Sequence, residues 1–156
     1  MAAVVLVITV MTACGMPPSS NHCTQADLDL PTSATMPTPV AVKETRQLNK
    51  GERLDPLPPD VKPVPAEQAW ERLLLHSNRP SNGGGSDELL LGAFNGTPAW
   101  VLFSSHLAQH VNPLAPTPGV KPRADAAPCV FVDVVTVLDA RTAEEFHFST
   151  NTSAKS

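Results

Sequence analysis

Proline placement divides this 156-residue chain more sharply than any other feature. Of its 17 prolines, ten lie between Pro17 and Pro65 and five between Pro113 and Pro128, whereas Ala66–Arg79 and Val130–Ser156 hold none. Proline has no N–H and a fixed φ, so it is kept out of helix interiors and central strands. The pattern predicts a folded part over residues 63–150, a disordered tether over 14–62 and a disordered tail over 151–156. The tether is rich in Pro, Ser, Thr and Asn and carries few large apolar side chains. It cannot bury enough surface to offset its ordering entropy. Within it, "LDPLPPDVKPVP" favours an extended, polyproline-like spacer, and "TMPTPVAV" offers at most a short edge segment.

The folded part reads as one helix and two hairpins. In "PAEQAWERLLLHSNRP", Ala66, Ala69, Trp70, Leu73, Leu74 and Ser77 recur at helical spacing and form one apolar stripe. Pro65 suits the first turn, Glu67 favours the positive end of the dipole, and Pro80 stops the helix. Trp70 is the expected core anchor. Two apolar runs, Leu89–Phe94 and Ala99–Phe103, then flank Asn95-Gly96, a pair that supplies the positive φ angles of a tight hairpin. His106 to Pro128 is read as a long proline-rich loop, of a length that compact domains seldom carry without a function. In the last hairpin Val130, Val132, Val134, Thr136 and Leu138 share the strand face assigned to the core. The chain returns through Phe146 and Phe148. These elements predict an α+β fold: a small antiparallel sheet of about four strands with one amphipathic helix packed on it.

The N-terminus carries the clearest functional signal. Met1–Ala13 holds no charged residue, and at about a dozen residues it is too short for a membrane span, which needs about 20. It suits the apolar core of a secretory signal peptide over residues 1–13. "Met11-Thr12-Ala13-Cys14" resembles the lipobox of bacterial lipoproteins, although no basic residue precedes the apolar core. The resemblance implies that Cys14 is the lipid attachment site and, after cleavage, the new N-terminus, with a flexible segment following it. If Cys14 is acylated, Cys23 and Cys129 remain as an even pair in an oxidising compartment. They are either a disulfide or two independent thiols.

A second resemblance lies in "Val137-Leu138-Asp139-Ala140-Arg141-Thr142-Ala143-Glu144", which is similar to the closing hairpin of PepSY-like secreted domains, with Ala143 where that pattern has glycine. It implies a non-catalytic module linked to peptidase inhibition or to sensing at the cell envelope.

Other constellations fall short of a chemistry. His106 and His110 stand at a spacing that would place two imidazoles on one helical face, but "HLAQH" lacks the glutamate of a zinc-protease motif and a third ligand. No metal is predicted, and no motif implies a cofactor. His22-Cys23 lies in the proline-flanked segment rather than a rigid pocket. Asp133, Asp139, Glu144 and Glu145 cluster on the last hairpin without evidence of a cleft to shift one pKa. Ser104-Ser105-His106 has no Gly-x-Ser-x-Gly elbow, and "NGGGS" has no P-loop lysine. Asn95-Gly96-Thr97 and Asn151-Thr152-Ser153 match the N-glycosylation pattern, which the lipobox reading makes irrelevant. With a net charge of −4 and singly scattered Lys and Arg, no basic stripe points to nucleic acid.

The expected function is that of a lipid-anchored, non-catalytic cell-envelope protein on the extracytoplasmic face of the membrane. It would hold the membrane through its anchor and bind a protein or envelope component. The alternative is a secreted small-ligand-binding module with its site between the sheet and the 106–128 loop.

Overall fold

A computed structural model describes residues 23–76, 82–110 and 129–152. Two helices, α1 (Gln25–Leu28) and α2 (Ala66–His76), accompany seven strands: β1 (Val40–Ala41), β2 (Arg46–Gln47), β3 (Arg53–Asp55), β4 (Ser86–Phe94), β5 (Thr97–His110), β6 (Cys129–Asp139) and β7 (Glu145–Thr152). The sheet runs β2-β3-β4-β5-β6-β7, with β1 off this path and parallel to β4. Every other ladder is antiparallel, and the sheet curls into a half-barrel.

This corrects the expected α+β fold of about four strands under one helix. The described part of the expected disordered tether, residues 23–62, holds α1 and three strands. These strands are only two or three residues long, too short to show a two-residue alternation. Their prolines flank them without interrupting them: Pro39 precedes β1 and Pro56 follows β3. One residue there is fully buried: Leu54 is 0 % exposed.

The two predicted hairpins are present, and both extend further than their apolar runs suggest. Asn95 and Gly96 take φ +47° and +89°, the paired positive angles of a two-residue type I′ turn. β5 continues through the first residues of the expected 106–128 loop, burying Leu107 and Ala108. The continuation needs a bulge between Ser104 and Leu107, where His106 takes φ +57°. Residues 111–128 lie outside the described residues.

The sheet is covered on both faces. On one, α2 seats Ala69, Trp70 and Leu73 against Leu89, Trp100, Leu102 and Leu138. Leu74, placed on the helix stripe from its spacing, is instead exposed. At about 100° per residue it lies about 90° round the helix from the centre of the buried seam. Ser77 and Pro80 lie outside the described residues. On the other face Leu54, Leu90, Phe94, Val101, Val135 and Val137 form a second core. β6 therefore buries both of its faces, not only the one assigned to the core.

The β6–β7 turn is fastened by Asp139, whose Oδ1 accepts from the N–H groups of Arg141 and Thr142 at 2.7 and 3.1 Å. Ala143 completes it in the left-handed region, φ +58°, with its methyl buried in the α2-side core.

Candidate functional site

Cys14 and His22 lie outside the described residues. Cys23 and Cys129 are brought together as a disulfide, their Cα atoms 5.1 Å apart across a sequence separation of 106. Cys129 begins β6, and the Cys23 N–H donates to its carbonyl at 3.2 Å. Immediately after Cys23, Thr24 caps α1: its hydroxyl accepts from the Asp27 N–H, while the Asp27 carboxylate accepts from the Thr24 N–H and hydroxyl, each at 2.8 Å. Those two hydrogen bonds, the backbone one first, hold the Asp27 carboxyl below its ordinary pKa. A capping box on so short a helix fixes the direction in which the chain leaves the disulfide.

Beside this clamp is a cleft of about 390 Å³ lined by Gln25, Leu28, Asp29, Asn82, Ala108, Gln109 and His110. Amides, one carboxylate and one imidazole face it together with Leu28 and Ala108, so it suits a small polar ligand better than a purely apolar one.

The second polar assembly was not legible in the sequence. The turn between β2 and β3 crosses to β7, where Glu52 Oε1 lies 2.7 Å from Nε2 of His147 and Asn49 Nδ2 donates to Ser149 Oγ at 3.1 Å. The His147 ring also lies 4.9 Å from that of Phe94. Glu52 is 8 % exposed, and among the described residues its Oε2 has no hydrogen-bond partner. The partners are 95 and 100 residues apart, and "NKGER" reads as an ordinary turn; only the curl of the sheet joins them.

The remaining candidates are not assembled into chemistry. His106 and His110 lie on a strand, not a helix, and at about 3.3 Å rise per residue four positions separate them by about 13 Å. The His106 ring stacks on Phe131 at 5.3 Å, and the His106 backbone N–H donates to Asp133 Oδ1 at 3.1 Å. Ser104 is buried and donates to Asp87 at 2.6 Å, while Ser105 pairs with Ser86 at 2.8 Å; among the described residues neither hydroxyl is bonded to an imidazole. Asp139 serves the β6–β7 turn, and Glu144 and Glu145 are exposed. In the glycine run, Gly83 and Gly84 both donate to the carbonyl of Leu30, so these N–H groups hold the N-terminal arm and are not open to an anion. Among the described residues no group of three His, Cys, Asp or Glu side chains could hold a metal ion, and no helix is long and apolar enough to cross a membrane.

No protein-family model matches the chain, and neither does any curated protein or solved structure.

Proposed function

We propose that this chain is a lipid-anchored, non-catalytic cell-envelope protein, tethered through Cys14 on the extracytoplasmic face, whose sheet domain binds a protein or an envelope component. The observation that carries this reading is the Cys23–Cys129 pairing. Disulfides persist in oxidising compartments and are rare in the cytosol, which agrees with the secretory character of residues 1–13. The disulfide also redefines the tether. Cys23 lies only nine positions after Cys14, and at about 3.5 Å per position the intervening chain spans about 30 Å at most. The domain then works against the membrane surface, not at the end of a long stalk. Two or three acyl chains would anchor it stably where one would not.

Intact-mass spectrometry of the membrane fraction tests this directly, through acyl mass on a chain beginning at Cys14. Cys14→Ser should move the protein to the soluble or unprocessed pool, and a mutant that fractionates like wild type would overturn the reading.

The second reading, a small-ligand module, is favoured by the cleft beside the disulfide, which sits at the end of β5 where residues 111–128 depart. Native mass spectrometry of the purified protein separates the two: small-molecule adducts lost in Gln109→Ala would support a ligand module.

A further inference from the structure

The β2–β3 hairpin, residues 46–55, reaches from β4 across to β7, yet among the described residues its backbone joins the rest of the sheet at one end alone. β3 meets β4 through Leu54 and Asp55, and Arg53 exchanges hydrogen bonds with Asn95 at the β4–β5 turn: its carbonyl accepts from the Asn95 N–H at 2.9 Å, and its N–H donates to Asn95 Oδ1 at 3.0 Å. β4, by contrast, pairs with β5 along its whole length. Across the root of the hairpin Thr45 Oγ1 donates to Asp55 Oδ1 at 2.7 Å, which keeps the two arms together. Arg46 forms an ion pair with Glu88 and lies over the Phe103 ring, but both charged side chains are more than a third exposed, and such pairs hold weakly.

Among the described residues the far turn has no backbone ladder to β7. It rests there on two side-chain pairs, Glu52–His147 and Asn49–Ser149. Burying the Glu52 carboxylate with one oxygen unpartnered opposes this contact, because a desolvated polar atom without a hydrogen bond is costly. Burial of Leu54 in the second core favours it, with half-buried Leu48 packed against the same core. The hairpin is thus secured mainly by Leu54, fully buried at its root, and more weakly by half-buried Leu48, and it carries a polar penalty at its tip. Segments so constituted open below the global unfolding free energy.

We propose that residues 46–55 form a strap that lifts as a unit from the concave face, with Glu52–His147 and Asn49–Ser149 as its latch. Lifting withdraws Leu54 and presents Phe94, Val101, Val135 and Val137 to solvent. The device stands independently of the lipid anchor and of the binding reading.

Gly92 provides a second handle away from the latch. A Cβ added there would come 2.5 Å from the Asp55 carbonyl oxygen and 2.9 Å from Leu54 Cδ1, so Gly92→Ala wedges the root of the strap off β4. Hydrogen-exchange mass spectrometry on the full chain is the test. In the wild type, residues 46–54 should exchange through an opening that leaves β5 and β6 protected. His147→Ala and Gly92→Ala should each raise exchange in 46–54 at least tenfold with β5 and β6 unchanged. Exchange of 46–54 at the rate of β5 and β6 in the wild type would overturn the proposal. So would a uniform rise, or no rise, in the folded variants. Should either variant fail to fold, the wild-type pattern decides alone.

Discussion

The indole N–H of Trp100 donates to the carbonyl oxygen of Val64 at 3.1 Å, and the N–H of Val64 donates to the carbonyl of Ala140 at 2.7 Å. The residue before Pro65 is therefore pinned both to the central strand β5 and to the β6–β7 turn. This pinning sets where α2 begins, and so which of its side chains reach the sheet.

Trp70→Ala should then destabilise the domain by about 3–5 kcal/mol, as large aromatic truncations in cores do. Leu75, 74 % exposed on the same helix, should lose less than about 0.5 kcal/mol as alanine. Trp100→Phe keeps most of the ring but strands the Val64 carbonyl, which should cost about 1–3 kcal/mol. Urea unfolding of the three variants checks the order, and equal losses at Trp70 and Leu75 would contradict the helix face.

What the sequence disclosed follows from the length of each signal. α2 and the Asn95-Gly96 hairpin were legible because eleven residues of helical period and two adjacent apolar runs give patterns that outlast local noise. β1, β2 and β3 were not, since two or three residues hold no period and their proline-rich surroundings match disorder in composition. Their pairing comes from the sheet itself, through the parallel Val40–Leu90 register and the burial of Leu54. The Glu52–His147 pair was hidden for the same reason. Neither residue lies in a motif, and only the curl, a property of the whole sheet, brings them together. The two cysteines were visible as a possible pair by counting, but their 5.1 Å approach depends on where α1 lies on the sheet.

Ala143 combines a left-handed φ with a buried methyl. Ala143→Gly should change stability by less than about 1 kcal/mol, because relief of the left-handed cost, about 1–2 kcal/mol, is offset by losing a buried methyl group worth about 0.8 kcal/mol. Ala143→Val should destabilise by more than about 2 kcal/mol, since a β-branched residue tolerates positive φ poorly and the added bulk overpacks the core. Thermal unfolding of both variants checks that shrinking this side chain is nearly neutral while enlarging it is costly.

Removing the disulfide, by reduction or by Cys23→Ser with Cys129→Ser, should cost about 4.7 kcal/mol, the chain-entropy value for a loop of about 100 residues. That is a large share of the roughly 5–15 kcal/mol typical of a domain. Thiol titration of denatured, unreduced protein should find no free thiol at positions 23 and 129. Two free thiols there would refute the pairing.

The same bond decides how the molecule carries tension. A pull applied upstream of Cys23 and at the C-terminus passes across the sulfur bridge directly into Cys129 at the start of β6. Strands β1 to β5 all lie within the covalent ring, so no load runs along their backbone. Only β6 and β7 stand in the force path: their ladder would peel from Thr152 pair by pair, and β6 would have to strip from β5 before it could extend. The extensible length is then residues 129–152, about 80 Å at about 3.5 Å per residue, and not the about 450 Å that an unbridged chain from residue 23 would pay out. A domain so wired stretches little under load and keeps most of its sheet intact while its last hairpin yields.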